Sequence, residues 1–306
     1  MTLPLVTVVV TAYDQREYVE QAVASALAQD HSLMEVVLVD DGSRDGTAHV
    51  FADRDDIRLV RQENRGVCAA RNAGVEAAQG ELLVFLDGDD RLLPHAVTTG
   101  LSILRATGAD FATGRCRLID SGGQPLPTTV RAPVTGDLYE QLLRETWVAP
   151  PSVVIVRRGA LVRAGSWDAC LRSGGDDYDM YLRLARTSRG TDHDSVVCEY
   201  RVHPGNRSAD YRRCLDDNLR VLDQQARHTR TDDRLEQARR AGRAHYHRTY
   251  GAKVVLADLM AAMGRRTGVA GAAWRAAGFT LREPAAVARL VAAQAGRRGA
   301  GRREGR

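Results

Sequence analysis

Apolar and polar positions follow two alternating periods along the first hundred residues. Residues 5–13 form a continuous, largely β-branched apolar run, as in a strand buried on both faces. Residues 14–30 follow with apolar positions at helical spacing, which predicts an amphipathic helix. The alternation continues up to a helix that opens near Pro94. Further strands are predicted at 35–40, 57–62 and 81–87, and a further helix at 65–80.

Strands that alternate with helices predict an α/β fold, with an open, twisted, mainly parallel sheet flanked by helices. In such sheets, ligands bind in the crevice beyond the carboxyl ends of the strands. Thr11, Tyr13 and Asp41 lie at two of these predicted ends, and residues 87–90 lie at a third. The pattern therefore predicts one pocket that is lined by an aromatic ring, an acid and an acidic cluster.

The stretch FLDGDD at residues 85–90 concentrates negative charge directly after an apolar run. Close carboxylates repel one another by about 1 kcal/mol per pair even in water, and a bound cation would resolve that repulsion. Turn chemistry alone also leaves Asp and Gly at strand ends. However, VLVDDGSRDGT at 37–47 is a second apolar run that ends in acidic residues and glycine. Neither of the two common glycine-rich phosphate-binding loops occurs in the sequence. Any bound phosphate would therefore have to be held by metal and arginine.

Composition and charge place the chain among globular proteins. It has 306 residues, 44% of them hydrophobic, which is enough for one large α/β domain with helical additions. The net charge is +4, and basic residues crowd positions 296–306, which suggests an anionic surface as partner. No uncharged apolar run reaches about 18 residues, and the start of the sequence lacks the features of a secretory leader. We therefore expect a cytoplasmic location.

The cysteines give no sign of a disulfide framework or a zinc site, because they are odd in number, widely spaced and without a C-x-x-C pair. This pattern fits a reducing compartment. The five cysteines are Cys68, Cys116, Cys170, Cys198 and Cys214.

Five stretches of the sequence resemble, in their order and rough spacing, the family 2 glycosyltransferases with the GT-A fold. The resemblance covers about residues 5–205. The five stretches are VTVVVTAYDQREYVEQAVASALAQ, VVLVDDGSRDGT, NRGVCAARNAG, GELLVFLDGDD and GGDDYDMYLRLA.

The resemblance implies that Thr11, Tyr13 and Asp41 hold the nucleotide base. This agrees with their chemistry, because a tyrosine face can stack on a pyrimidine and a carboxylate can accept the imide N–H of uracil or thymine. Asp40 is expected to brace the turn that follows the strand. Two alternatives stay open. Tyr13 could be only a half-buried aromatic residue at a strand end, and Asp40 and Asp41 could exchange roles.

The resemblance also implies a diphosphate site. Asp87 would contact the ribose, and Asp89, at the third position of the DxD motif, would bind Mn²⁺ or Mg²⁺, with Asp90 as support or co-ligand. Arg71 would lie near the nucleotide, unless it is an exposed or ion-paired helix residue. His203 would supply a nitrogen to the metal or a hydrogen bond to the diphosphate, unless it is a surface loop residue.

In the family register, Asp177 is expected to be the general base that accepts the proton of the acceptor hydroxyl. Asp176 stands where the family more often has Glu. The alternative for both acids is a purely structural role at a helix amino terminus. Trp167 belongs either to an acceptor wall or to the core.

The resulting functional expectation is an inverting glycosyltransferase that uses a UDP- or TDP-sugar and a divalent metal, Mn²⁺ or Mg²⁺. Its acceptor would be a glycan, lipid-linked or small-molecule hydroxyl in polysaccharide, surface glycan or glycoconjugate synthesis, with no nucleic acid as partner. One alternative is a nucleotidyltransferase, although TAYDQREY at 11–18 lacks the glycine-rich loop expected after its first strand. Another is a catalytically silent nucleotide-sugar-binding module, which would be expected to lose Asp177.

The expected domain organisation has a catalytic domain at 1–208, with a nucleotide-sugar half at 1–115 and an acceptor half at 116–208. A helical extension at 209–295 and a basic disordered tail at 296–306 follow. The alanine-rich helices of the extension, with arginine at their borders, either pack on the catalytic domain or lie on an anionic membrane at its inner face.

Overall fold

The amino-terminal part of the chain alternates strands and helices, as its hydrophobic pattern predicts. The computed structural model describes residues 3–171, 175–265, 276 and 279. The strands are β1 (Val6–Ala12), β2 (Met34–Asp40), β3 (Arg58–Arg61), β4 (Leu82–Asp87), β5 (Arg91–Leu92), β6 (Phe111–Ile119), β7 (Val154–Arg157) and β8 (Gly190–Arg201). The helices are α1 (Arg16–Leu27), α2 (Thr47–Val50), α3 (Val67–Ala77), α4 (Ala96–Thr107), α5 (Leu138–Arg144), α6 (Arg158–Arg163), α7 (Asp176–Thr187), α8 (Tyr211–Thr229) and α9 (Asp233–Arg265).

The strands form one eight-stranded sheet in the order β3-β2-β1-β4-β7-β6-β8-β5. In the half made by β3, β2, β1 and β4, every pairing is parallel. All seven residues of β1 are buried, because this strand lies between two neighbours and has helices over its faces. The continuous apolar run that predicts this strand thus reflects burial on both faces.

The other half of the sheet is mixed. β7 is antiparallel to both β4 and β6, and the two-residue β5 is antiparallel to β8. β6 and β8 are parallel, with register shifts around Arg115. Four of the seven pairings are parallel, so the sheet is mainly parallel as predicted. β7 and β5, which pair antiparallel with their neighbours, have four and two residues, and the sequence pattern predicts no strand at either place.

Helix α3 lies close against β1 because Gly74 has no side chain. A Cβ atom at this position would collide with the side chain of Val9. Arg71 lies one turn earlier on the same face of α3, since residues three apart are neighbours on a helix. The close approach at Gly74 therefore turns Arg71 toward the sheet and buries it completely.

The described chain divides into two units. The first consists of the described residues up to Leu142 together with Thr146–Asn206, and the second of Leu143–Glu145 together with the described residues from Arg207 onward. The first unit contains the sheet and all the site residues that the sequence predicts.

The second unit is built on α8 and α9, which pack against each other. Asp210 caps α8 by accepting a hydrogen bond from the backbone N–H of Arg213 at 3.1 Å. Val221 and Leu222 of α8 and Ala238 of α9 are fully buried. Both helices lie in the segment 209–295, for which the sequence predicts a helical extension.

The end of the predicted helical extension, from residue 266 onward, and the basic tail lie outside the described residues, apart from positions 276 and 279. Within the described residues, none of the helices combines the length and the apolar character needed to cross a membrane. The predicted membrane contact of the carboxyl-terminal segment stays a prediction.

Candidate functional site

The carboxyl ends of β1, β2 and β4 meet at one edge of the sheet and bring predicted site residues together. Thr11 is paired with Asp87, and Asp40 ends β2 beside the last residue of β1. The Thr11 carbonyl accepts the N–H of Gly88 at 2.9 Å, which joins the end of β1 to the acidic loop. Thr11 is buried, whereas the Tyr13 side chain is 44% exposed. An exposed ring at this edge is available to stack on a planar ligand.

Asp41 is a buried carboxylate that organises the loop before α3. Its Oδ1 accepts hydrogen bonds from Gln62 Nε2 at 2.7 Å and from the Arg65 backbone N–H at 2.9 Å. Its Oδ2 accepts one from the Gly66 N–H at 2.9 Å. A carboxylate offers about four acceptor positions, so Oδ2 retains one for a further donor.

Asp40 has the geometry of a turn brace. It is fully buried, and its Oδ1 accepts the backbone N–H of Ser43 at 3.0 Å. Its Oδ2 lies 3.4 Å from Nε of the half-exposed Arg61. These contacts favour the structural role for Asp40 and leave Asp41 closer to the ligand chemistry that the family resemblance implies.

The loops after β1 and β2 are fastened to each other by a set of hydrogen bonds that sequence reasoning missed. The Asp14 N–H donates to Ser43 Oγ at 3.0 Å, and the Arg44 N–H donates to Asp14 Oδ1 at 2.7 Å. The Arg16 N–H donates to Asp45 Oδ2 at 2.8 Å. These bonds fix the loop that carries the exposed tyrosine. The turn-forming residues around positions 42–46 are the one hint of them in the sequence.

Arg71 is the centre of the site. Its Nη1 donates to Asp176 Oδ2 and to Asp177 Oδ1, both at 2.8 Å, and its Nη2 donates to Asp87 Oδ1 at 2.9 Å. The Arg71 side chain is fully buried, whereas those of Asp87 and Asp177 are 25% and 32% exposed. One guanidinium therefore joins the end of β4 to the amino terminus of α7. The structure thus shows Arg71 as a buried, ion-paired arginine, and its place near the nucleotide stays a prediction.

Trp167 lies behind this arginine. The Arg71 guanidinium carbon is 4.3 Å from the centre of the Trp167 ring, and the ring meets Phe85 edge-on at 5.1 Å between centroids. Asn72 fixes the backbone of Trp167 by donating to its carbonyl at 2.8 Å and accepting its N–H at 3.0 Å. Because Trp167 is only 3% exposed, the structure favours the core alternative over an acceptor wall.

Three carboxylates, those of Asp87, Asp176 and Asp177, contact the Arg71 guanidinium. Burial lowers the pKa of Arg71, but Asp177, Asp87 and Asp176 raise it by more, so the side chain stays charged. Burial and then the charge of Asp177 raise the pKa of Tyr181 well above its ordinary value. Tyr181 thus keeps its proton next to the acidic pair at the start of α7.

The acidic loop after β4 is tied to the end of β8. The Asp90 N–H donates to the Asp87 carbonyl at 3.0 Å, and Asp90 Oδ1 accepts the backbone N–H of Arg201 at 2.9 Å. Burial, followed by the charge of Asp87, raises the pKa of Asp89, and burial, followed by Asp89 and Asp87, raises that of Asp90 well above its ordinary value. The cluster thus carries the unfavourable crowding of acids that the sequence predicts.

Arg201 is fully buried and holds this loop from behind. Its Nε donates to the Asp89 carbonyl at 2.8 Å, and its Nη2 donates to Gln21 Oε1 at 2.9 Å. Its Nη1 donates to the Ser121 carbonyl at 3.0 Å, and its guanidinium carbon lies 4.6 Å from the centre of the Tyr18 ring. The side-chain donors of Arg201 are thus engaged inside the protein.

The acidic loop offers carboxylate oxygens to the metal that the family resemblance implies. Asp90 Oδ2 is buried and has no hydrogen-bond partner among the described residues. Carboxylate oxygens are the ligands that Mg²⁺ and Mn²⁺ prefer. Within the described part of the chain, no group of three or more His, Cys, Asp or Glu side chains is arranged to hold a metal by itself. The unpartnered carboxylate oxygen of Asp90 fits a site for such a cation, and the metal role of Asp89 and Asp90 stays a prediction.

His203 lies against Asp89, with its Nε2 at 3.0 Å from Asp89 Oδ2. Its Nδ1 accepts the Gly205 N–H at 3.2 Å, so in the neutral ring the hydrogen is on Nε2 and is donated to Asp89. The ring also lies 5.3 Å from that of Tyr18. Direct metal binding through Nε2 would require the Gly205 contact to change, because Nδ1 would then carry the hydrogen. His203 as a metal ligand stays a prediction.

The sequence is similar to one known protein family and to individual proteins from other organisms. The family model described as glycosyl transferase family 2 matches residues 7–164, which is more than half of the 306 residues. The chain is 32% identical over 159 residues to a protein of Bacillus subtilis named putative teichuronic acid biosynthesis glycosyltransferase TuaG, covering 50% of this chain and 63% of the relative. It is 38% identical over 127 residues to the succinoglycan biosynthesis protein ExoO of Rhizobium meliloti, covering 40% of this chain and 36% of the relative.

A solved structure shares the fold. The structure of residues 1–349 of TarS from S. aureus in complex with UDP-GlcNAc superposes with a TM-score of 0.63 at 16% identity, covering 79% of this chain and 72% of the other. This likeness confirms the predicted GT-A fold class. The chain matches only part of each curated relative, about two thirds of TuaG and about a third of ExoO.

Proposed function

The chain belongs to glycosyl transferase family 2, and we propose that it transfers a sugar from a UDP- or TDP-sugar to an acceptor hydroxyl with inversion at the anomeric carbon. The matched relatives bear names from teichuronic acid and succinoglycan biosynthesis, which supports a polysaccharide or other surface glycan as the product. TarS, which shares the fold, has been solved with UDP and with UDP-GlcNAc, which supports a uridine nucleotide sugar as the donor.

The observation that carries the proposal is the contact of Arg71 with Asp87, Asp176 and Asp177. Asp87 is the residue for which the family resemblance implies a ribose contact, and Asp177 is the residue for which it implies proton acceptance. A shared arginine sets these two carboxylates at a fixed separation. A donor bound at the strand ends would therefore meet the base at a defined position, which is the requirement for an in-line displacement.

Asp177 is suited to proton acceptance because its carboxylate is partly exposed and yet held in place. Its Oδ1 accepts a hydrogen bond from Arg71 Nη1 at 2.8 Å, and we assign the proton of the acceptor hydroxyl to this carboxylate. Arg71 and the helix amino terminus supply positive charge that holds the carboxylate in position. If this base activates the acceptor hydroxyl for direct attack on the donor, the reaction is a single displacement and inverts the anomeric carbon.

Asp89, with support from Asp90, would hold the divalent cation, whose charge stabilises the leaving diphosphate. His203 would orient Asp89 through the contact between Nε2 and Oδ2. Arg201 would keep the backbone of the loop in place through its bond to the Asp89 carbonyl. The exposed Tyr13 would stack on the base and Oδ2 of Asp41 would accept its imide hydrogen.

A screen of nucleotide sugars tests the proposal. The full chain is incubated with Mn²⁺ and each of a panel of UDP-, TDP-, GDP- and CDP-sugars, and binding and release of nucleoside diphosphate are measured. We expect binding and slow release with at least one UDP- or TDP-sugar. Binding without release by any acceptor or by water would instead support a silent binding module, and no binding at all would contradict the proposal.

Removal of metal is expected to abolish the release of nucleoside diphosphate, because the acidic loop alone adds negative charge next to the phosphates. EDTA should stop the reaction and added Mn²⁺ should restore it. Asp89→Asn should weaken donor binding in the presence of Mn²⁺, measured by calorimetry, whereas the exposed Asp53→Asn should not. Activity that survives chelation, together with Mn²⁺-independent donor binding, would exclude the metal role.

Base selectivity is expected to follow from Asp41. A carboxylate that accepts the imide hydrogen of uracil finds no hydrogen on the corresponding ring nitrogen of cytosine. UDP should therefore bind more tightly than CDP by about 1–3 kcal/mol, the cost of an unsatisfied buried group, or roughly 5- to 150-fold in dissociation constant. Calorimetric titration of both nucleotides measures the ratio. Equal affinities would remove Asp41 from base recognition.

The predicted cytoplasmic location, and contact of the carboxyl-terminal segment with an anionic membrane at its inner face, stay predictions.

A further inference from the structure

Two cysteines that are distant in sequence lie side by side in the sheet. Cys116 of β6 and Cys198 of β8 are directly paired in the register of these parallel strands. Residues paired in this way point to the same face of the sheet. The two thiols interact with each other, and both cysteines are free rather than bridged. The widely spaced cysteine pattern in the sequence gives no sign of this pair.

The two thiols occupy different environments. Cys198 is fully buried, whereas Cys116 is partly exposed. The Cys116 thiol lies 3.4 Å from the Ala149 carbonyl and donates to it. Contact with the Cys198 thiol lowers the pKa of Cys116, with help from the charge of Arg115, while burial raises the pKa of Cys198 well above its ordinary value. Cys116 is thus the accessible, more acidic thiol, and Cys198 is a sheltered partner beside it.

The backbone spacing suits a bond between them. Neighbouring strands lie about 4.7–4.9 Å apart, and disulfides span Cα separations of about 4.4–6.8 Å. The usual spacing of paired residues on neighbouring strands thus falls within the range that a disulfide spans. We propose that Cys116 and Cys198 form a redox-active dithiol site, which low-molecular-weight disulfides of the glutathione class convert into an intramolecular disulfide.

The reaction balances without any further reagent. The Cys116 thiolate attacks one sulfur of the small disulfide, forms a mixed disulfide and releases one small thiolate. The Cys198 sulfur, having lost its proton to solvent or to that thiolate, then attacks the Cys116 sulfur and releases the second small thiol. The two protein thiols are oxidised by two electrons in total, and the small disulfide is reduced to two thiols.

Oxidation changes one contact outside the pair. In the reduced protein the Cys116 thiol donates its hydrogen to the Ala149 carbonyl. A disulfide has no such hydrogen, so the carbonyl loses this donor. The segment around Ala149 connects α5 to β7. Oxidation is therefore expected to loosen this connection, which amide hydrogen exchange of residues 146–153 would detect as faster exchange.

The test uses the full chain, reduced, freed of reductant and then exposed to oxidised glutathione. Mass spectrometry should show loss of two hydrogens with no retained adduct on this pair. After tryptic digestion, the peptide 190–201, which contains Cys198, should carry the dipeptide Cys116–Arg117 in disulfide linkage. Addition of reductant should release the dipeptide.

Three serine variants provide the controls. Cys198→Ser should stop at a stable glutathione adduct on Cys116, and Cys116→Ser should leave Cys198 unmodified. Cys170→Ser, which alters an exposed cysteine, should form the linked peptide as the unaltered chain does. The proposal is overturned if the linked peptide is absent, or if it forms no faster in the folded chain than in urea. None of these measurements depends on sugar transfer, so their outcome is independent of the proposed function.

Discussion

Asp177→Asn is expected to lower the rate of sugar transfer by about 10²- to 10⁴-fold while the affinity for the donor hardly changes. Asparagine has the shape of aspartate and retains an oxygen that can accept the hydrogen bond from Arg71 Nη1, seen at 2.8 Å in the native site. It lacks the basic oxygen that takes up the proton of the acceptor. Donor affinity by calorimetry and transfer rate at saturating donor separate the two effects.

Asp179→Asn is the matched control for this variant. Asp179 lies on the same helix, and its Oδ2 accepts the Arg183 Nε–H at 2.8 Å, away from Arg71. We expect Asp179→Asn to alter stability rather than transfer. If Asp177→Asn lost donor affinity and transfer equally, Asp177 would be a structural cap of α7, and full transfer activity would exclude it as the base.

Arg71→Met is expected to destabilise the protein by about 3–5 kcal/mol, because it removes a fully buried cation that contacts three clustered carboxylates, one of them the buried Asp176. For a domain of this size each kcal/mol corresponds to about 2–4 °C in Tm. A fall in Tm of roughly 6–20 °C by calorimetry is therefore predicted, together with loss of transfer.

Two further arginine variants make this result specific. Arg54→Met breaks an exposed ion pair with Asp56, which is screened by solvent, and should leave Tm almost unchanged. Arg71→Lys keeps the charge, but its single ammonium group cannot span Asp87 and the start of α7 as the guanidinium does. It should recover part of the stability and little of the transfer. A fully stable and active Arg71→Met chain would contradict the central position given to this residue.

The sequence alone predicts the edge of the sheet at which the candidate site lies. Continuous apolar runs predict β1, β2 and β4, and parallel pairing then brings their carboxyl ends together. Thr11 and Asp87 are consequently neighbours in the structure, as the alternation of strands and helices implies. These features depend on local periodicity, which each segment displays by itself.

The contacts across the site depend instead on residues that are distant in sequence. Arg71 meets Asp176 and Asp177 across 105 and 106 residues, and its helical setting offers burial and exposure equally. The close packing that buries it arises from Gly74 against Val9, which no periodic pattern reports. The sequence does not predict β7 for a related reason. This strand has four residues, and its antiparallel partners β4 and β6 are distant from it in sequence.

The thiol pair and the burial of Arg201 also depend on residues that are distant in sequence. The opposition of Cys116 and Cys198 depends on the register of β6 and β8, which contains shifts around Arg115. Arg201 is surrounded by backbone carbonyls and a glutamine rather than by acids, so charge pairing gives no clue to its burial. Both become visible only once the strands are placed.

Proton NMR of the first sugar product decides whether the chain performs the reaction proposed for it. The chain is mixed with Mn²⁺ and an α-linked UDP-sugar selected by the binding screen, and the anomeric signal is followed before mutarotation, with water or a glycan as acceptor. A β-configured product, formed by the unaltered chain and lost in Asp177→Asn, is the predicted result. An α-configured product, or the same rate of product formation in both chains, would contradict it.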